Sequence, residues 1–327
     1  MIRLQVLGTG SYLPPRSVSN QELTESLETS DEWIRSRTGI SARHILDPNV
    51  PPSSMGVAAS QAALEAGGLP PDKVDTLIVA TNVPEQPIPG TAPFIAAGLG
   101  GEREPAFFDI KAGCAGFVYG LALAGSLIAT GISYRILLVG IEALSRFVDW
   151  SDRKTSVLFG DGAGAVLLGP TDEDRGILGV SLHGDPTKAQ ILRIEAGGVR
   201  LPASRETVEQ GRHLLKMQGR GVYHAAVPMM ERATREALKR AGLGMEDIDW
   251  LLPHQANLRI IDSLVKRLGI PEERVLVNID RVANTSTASI PILLDEAVRA
   301  GKIRKGDVLA LTAFGAGACY GTVILRW

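Results

Sequence analysis

The run DIKAGCAGFVYGLALAGSLIATGISYR, Asp109 to Arg135, has no charged side chain between Lys111 and Arg135 and holds Cys114, one of two cysteines in the chain. Its length and neutrality would suit a membrane span. Its composition does not. Ala and Gly abound, bulky side chains are too sparse for a lipid face, and Gly-Ile-Ser-Tyr closes the run like the end of a helix in a soluble fold. The stretch predicts a short approach followed by a helix buried on all sides, its small residues letting neighbouring backbones come close. Cys114 falls where the approach enters that helix. Unpaired N–H groups and the helix dipole favour an anion there, so the thiol is expected to lose its proton readily and act as a nucleophile. Read alone, a cysteine in an apolar run is more often inert core packing, and the rest of the chain has to decide.

On either side of this run, Phe107–Ile110 and Ile136–Val139 read as strands, as do Thr76–Ala80 and residues 3–8. Ser53 is placed to cap a helix to Ala66 that ends at Gly67-Gly68. Pro84, Pro87, Pro89 and Pro93 mark an irregular loop, and GDGAG at 160–164 reads as a turn or bulge between extended segments. Residues 181–213 have weak periodicity and are expected to form a long excursion over a site. Tyr223, Val227, Met230, Thr234, Leu238 and Ala241 follow helical spacing, so a helix is expected over 223–241, with Pro228 implying a kink or a late start. Asn257 caps a further helix to Leu268, closed by Gly269 and Pro271.

The chain also repeats itself. ALEAGGLPPDKVDTLI (63–78) matches ALKRAGLGMEDIDWLL (237–252) at constant offset, pairing Ala63 with Ala237, Gly68 with Gly242, Asp75 with Asp249 and Leu77 with Leu251. FFDI ahead of Cys114 resembles LVNI ahead of Asn284. So long a period is not a solenoid. It predicts two similar α/β halves, residues 1–172 and 173–327. Equivalent strand ends in two packed halves meet at one centre. Cys114, His254 (in LPHQ) and Asn284 can therefore converge although far apart in sequence. Singly, a histidine after a strand or an asparagine in VANTSTASIP is usually structural.

Length and composition narrow the function. With 327 residues and 45% apolar side chains a large core can form. A net charge of −2 with interspersed signs gives no footprint for nucleic acid or an anionic membrane. Cys114 and Cys319 make neither a metal spacing nor a disulfide framework, and the opening MIRLQVLGTGSYLPP lacks the regions of a signal peptide, so a reducing cytoplasmic setting is expected. There is no GxSxG elbow or HExxH helix, and neither glycine cluster completes a dinucleotide fingerprint.

DIKAGCAGF, FGDGAGAVLL, LPHQANLRI, NTSTASIPILLDEA, the ending FGAGACYGTVILRW and TSDEWIRSRTGI near the start resemble the β-ketoacyl-[acyl-carrier-protein] synthase III family over essentially the whole length and in order. The resemblance implies a thiolase-like five-layered αβαβα fold of two duplicated halves, a homodimer, and an acyltransferase that condenses an acyl-CoA with malonyl-acyl carrier protein, with acyl-CoA as substrate and no cofactor. By it, Cys114 is similar to the acyl-accepting nucleophile, and His254 and Asn284 to the pair that drives decarboxylation. The amides of Cys114 and Ala316 would form the oxyanion hole. Trp33 and Arg153 resemble the pair that sandwiches the CoA adenine, Arg37 a phosphate contact, and Arg259 a residue that meets the carrier protein. Ala283 and Ala316 stand where many relatives have Gly, which bears on the placing of backbone amides. A starter-unit ketosynthase or a non-condensing acyltransferase of a polyketide or other secondary pathway is the alternative within this fold, and a non-catalytic CoA- or carrier-binding subunit is the alternative outside enzymes.

Overall fold

A computed structural model of the chain describes residues 2–101 and 104–327. Its largest sheet comprises β1 (Ile2–Tyr12), β2 (Thr76–Ala80), β3 (Ala106–Ile110), β4 (Ile136–Glu142), β5 (Gly162–Pro170), β6 (Gly176–Gly184), β7 (Trp250–Pro253), β8 (Val308–Gly315) and β9 (Cys319–Arg326). They run in the order β7-β8-β9-β6-β1-β5-β4-β2-β3. A seam lies between β1 and β6, joined through Ile2↔Ile177 and Arg3↔Gly176. Away from it the pairing repeats. β1, β5 and β4 are antiparallel neighbours and β4 lies parallel to β2; β6, β9 and β8 are antiparallel neighbours and β8 lies parallel to β7. The outermost strand β3 pairs parallel with β2, whereas its counterpart has shrunk to a single bridge, Leu251↔Val275.

Helices complete five layers. α1 (Asp31–Thr38) lies apart, in the segment that joins β1 to α2 (Ser53–Ala66). α2 and α3 (Ala92–Leu99) cover the outer face of the first sheet half. α5 (Gly219–Ala241) and α6 (Leu258–Leu268) cover that of the second. Between the halves lie α4 (Gly116–Ala129) and α7 (Ser289–Arg299). Strand alternation feeds the layers. Ile78, Ile136 and Leu138 point to the central core with Leu309, Leu311 and Val323, while Leu77, Leu137 and Val139 face α2. Each such side chain contributes about 1.5–3 kcal/mol by leaving water. α4 is largely buried but not on all sides, since Leu123, Ser126 and Ala129 are exposed. It fits because of its glycines: a Cβ on Gly120 would lie 2.6 Å from Leu138.

Several local expectations are corrected. Ser53 sits inside α2, and its backbone N–H is met by the Glu85 carboxylate at 2.7 Å rather than by a capping side chain of its own. GDGAG is only half a turn: β5 already starts at Gly162, and Asp161 is buried, accepting from the amides of Leu46 and Ser145. β6 runs on to Gly184, so the excursion begins later than residue 181. α5 starts at Gly219 and passes through Pro228 without a late start, because its apolar face, Ala226, Met230 and Ala233 among it, packs on the sheet. Asn257 caps α6 as expected, its side chain accepting from the Arg259 amide at 2.9 Å, and Gly269 closes the helix at φ 70°.

Candidate active site

Three segments meet at the carboxyl ends of the parallel strands. The first, 111–115, follows β3 and places Cys114 just before α4, 8% exposed. Gly113 turns the chain there at φ +57°, and a Cβ on it would lie 2.4 Å from the Ala316 nitrogen. Gly315 is packed as tightly from the other side, its hypothetical Cβ 2.0 Å from the Cys114 nitrogen. Bare backbone lets the two turns touch, and the amides of Cys114 and Ala316 both act on Sγ to favour its charged form. Gly315 has extended φ, so only this contact forbids a side chain. Gly315→Ala is therefore expected to push the Ala316 amide off line and slow acyl transfer at saturating substrate by about 100-fold or more. Steady-state kinetics on protein shown folded by its melting curve checks it, and a loss under about threefold would mean that the turns can part freely.

His254 follows β7, is 2% exposed, and donates its amide to the Thr312 carbonyl at 2.8 Å. Its Nδ1 lies 2.7 Å from Ser289 Oγ. That oxygen also accepts the Gln255 amide at 3.4 Å, an arrangement in which the Ser289 hydroxyl can donate to Nδ1. The tautomer this favours carries its proton on Nε2, ready to donate. Burial pushes the imidazole down to about 3, so it is neutral and a weak base.

Asn284 is held on both sides by main chain, donating to the Leu158 carbonyl and accepting from the Gly160 amide. Its Oδ1 accepts from the Ser286 amide at 2.9 Å, and its Nδ2 donates to the Ala256 carbonyl at 3.5 Å, beside the His254 turn. Ser286 closes the circle, with Oγ 3.2 Å from Cys114 Sγ. Among the described residues the non-glycine positions with positive φ are Ala283, Ser286 and Ala318, of which Ala283 adjoins Asn284 and Ser286 touches Cys114. Such conformations cost about 1–3 kcal/mol each and persist where surrounding packing over-determines them. Ala283 thus adopts the left-handed φ that glycine takes freely, while keeping Asn284 in its brace.

One sequence expectation fails. The thiol is not acidified in the empty site. Burial pushes Cys114 up to about 11, with the Glu142 charge adding to it, against the lowering by Ser286 and the two amides. Helix-entrance stabilisation is outweighed by loss of water. Glu142 itself, at the end of β4, went unnoticed in the sequence. It is 1% exposed, takes hydrogen bonds from Asn82, Ser286 and Thr287, and burial lifts it to about 7. The clue was present: a lone carboxylate closes the otherwise apolar ILLVGIE. Ser286 and Ser289 had no such signal, because both lie among small polar residues of a turn.

The remaining residues named from the sequence lie nearer the surface. Ser30 caps α1, and Trp33 packs one side on a buried cluster while Arg153 stands over its ring at 5.2 Å. Arg153 also donates to the Glu28 carbonyl at 2.8 Å. Arg37 is exposed, and its carbonyl accepts from Asn257, which ties the end of α1 to the start of α6 where Arg259 is also exposed. Among the described residues no cluster of His, Cys, Asp and Glu could hold a metal ion, and no helix is long and apolar enough to cross a membrane.

Comparison with known proteins agrees with this geometry. Residues 108–186 match the family described as 3-oxoacyl-[acyl-carrier-protein] synthase III, and residues 238–327 match its C-terminal region. A β-ketoacyl-[acyl-carrier-protein] synthase III from Caldanaerobacter subterraneus is 47% identical over 322 residues, 98% of this chain and 97% of the relative. The synthase III structure from Thermus thermophilus superposes with a TM-score of 0.92 at 44% identity, covering 98% of each chain. A priming β-ketosynthase of the R1128 polyketide pathway superposes at 0.91 with 40% identity, covering 99% of this chain and 96% of its own. With its fold, its length and both matched regions in common with these relatives, the chain is an acyltransferase that belongs to the β-ketoacyl-[acyl-carrier-protein] synthase III family.

Proposed function

We propose that the chain condenses an acyl-CoA starter with malonyl-acyl carrier protein by way of an acyl-Cys114 thioester, opening fatty-acid synthesis. Cys114 attacks the acyl-CoA carbonyl, and the amides of Cys114 and Ala316 hold the oxyanion until CoA leaves as its thiolate, which solvent protonates. Malonyl-carrier protein then enters. Loss of CO2 leaves negative charge on its thioester oxygen, which His254 Nε2–H and Asn284 Nδ2–H stabilise as neutral donors. The carbanion attacks the acyl-Cys114 carbonyl, and the Cys114 thiolate leaves with the β-ketoacyl product formed. The observation that supports this reading is the bracing of the pair: His254 Nδ1 lies 2.7 Å from Ser289 Oγ and Asn284 Oδ1 accepts from the Ser286 amide, so that Nε2 and Nδ2 are the atoms left to serve as donors. Incubation with acetyl-CoA and longer acyl-CoAs is expected to leave an acyl adduct on Cys114 by mass spectrometry, and no adduct with any of them would sink the proposal.

The residues nearer the surface complete it. Trp33 and Arg153 clasp the CoA adenine, Arg37 meets its phosphates and Arg259 meets the acidic carrier protein. A base stacked on both would need about 7 Å between ring and guanidinium, so Arg153 swings aside from its 5.2 Å contact to admit it. Trp33→Ala is expected to raise KM for acyl-CoA about tenfold with little change in kcat. Steady-state kinetics at varied acyl-CoA checks this, and an unchanged KM would remove Trp33 from the site.

A homodimer is part of the same proposal. β3 is an edge strand with Phe107 and Phe108 exposed, and Leu123 of α4 is exposed as well. A free, aromatic strand edge invites pairing with a second copy. The division at residues 172 and 173 and a cytoplasmic setting, where acyl-CoA is available, also belong to it. The likeness to a polyketide priming ketosynthase supports a second pathway for the same chemistry. An acyl-CoA chain-length profile separates the two. A non-condensing transferase would have no use for an enolate-stabilising Asn284.

A further inference from the structure

The thiol must give its proton to something when it attacks, and the geometry around Sγ narrows the choice. Ser286 Oγ stands 3.2 Å from Sγ and 3.1 Å from Oε1 of Glu142, all three groups being buried. Asn82 Nδ2 donates both to Ser286 Oγ at 3.1 Å and to Glu142 Oε1 at 2.6 Å, fixing the serine between thiol and carboxylate. We propose that Glu142 is the proton acceptor for Cys114, acting through the Ser286 hydroxyl. The inference rests on reading Cys114 as the acyl acceptor, and it adds a positioned base to that reading.

The step balances. A sulfur lone pair forms the bond to the acyl carbonyl as the S–H bond breaks. Ser286 Oγ takes that proton and passes its own to Glu142 Oε1. CoA leaves as thiolate and is protonated by solvent. When the condensation frees the Cys114 thiolate, the proton returns along the same path, so Glu142 ends each cycle as it began.

Other titratable groups on the packed elements do less well as acceptors. His254, after β7, has Nδ1 bound to Ser289 and is the weaker base by far. Asp161, ahead of β5, is engaged by Ser145 and Leu46. Lys111, on the approach to Cys114, is exposed and cationic. Glu142, which titrates near neutrality, suits a general base at that pH.

Alkylation of Cys114 by iodoacetamide, followed by mass spectrometry across pH, reads the thiolate without any acyl donor. The wild type is expected to rise with pH through the Glu142 ionisation near 7, level off, and climb again toward the thiol's own ionisation near 11. It levels because one proton shared by two coupled groups keeps a constant distribution between them. Glu142→Gln and Ser286→Ala should lose the step and show one continuous rise. Transfer from acetyl-CoA at neutral pH should also fall about 100-fold in Glu142→Gln. A variant damaged only in folding loses reactive protein but keeps the shape of the profile. Absence of the step in the wild type, or its survival in Glu142→Gln, overturns the proposal. If the step behaves as expected but no acyl-CoA ever labels Cys114, the relay stands and the proposed function fails.

Discussion

Cys114→Ala is expected to abolish acyl transfer and condensation while leaving decarboxylation running. Removing a nucleophile of this kind costs on the order of a million-fold, because no other group can carry the covalent intermediate. Loss of CO2 from malonyl-carrier protein does not use the sulfur. It needs charge stabilisation at the thioester oxygen, and in the proposed function the donors for that are His254 and Asn284, which are held by Ser289 and Ser286 rather than by the thiol. The variant should therefore show no acyl adduct by mass spectrometry, yet release CO2, and the release should vanish when His254→Ala is added. CO2 release that survives the second substitution would remove the imidazole from the decarboxylating pair.

Asn284→Asp should have the second-largest effect and the opposite selectivity. The substitution keeps the shape and one oxygen to accept the Ser286 amide, so the turn can persist. It replaces the outward N–H with a carboxylate oxygen where the enolate charge develops. A lost donor of this type costs about 2.7–4 kcal/mol, and the repulsion adds to it, so decarboxylation should fall at least about 1,000-fold. Formation of the acyl adduct on Cys114 should fall about tenfold or less. Measured side by side, CO2 release and adduct formation that fall equally would show Asn284 to be only a brace for the loop.

Much of this protein could be read before any coordinates. The neutral, small-residue run after Lys111 identified the buried helix α4. The repeat linking 63–78 with 237–252 anticipated that β2 and β7 hold equivalent places on either side of the seam. Strand and cap signals also held where they were local: Thr76–Ala80 has the expected bounds, and Asn257 caps α6. Pro228 did not delay the start of α5, because the helix is held by a whole apolar face against the sheet.

By itself the sequence determined the alternation of strands and helices, the internal repeat and, through its motifs, the resemblance to the synthase III family, since these follow from periodicity, repetition and residue order. Tertiary structure alone decided how charged each group is and which way its donors point. Cys114 is a protonated thiol at rest because burial outweighs the helix entrance, and Glu142 and Ser286 matter because folding brings residues distant in sequence within 3.1 Å. Protonation depends on desolvation and on neighbours across the fold, and neither is a property of a residue's place along the chain.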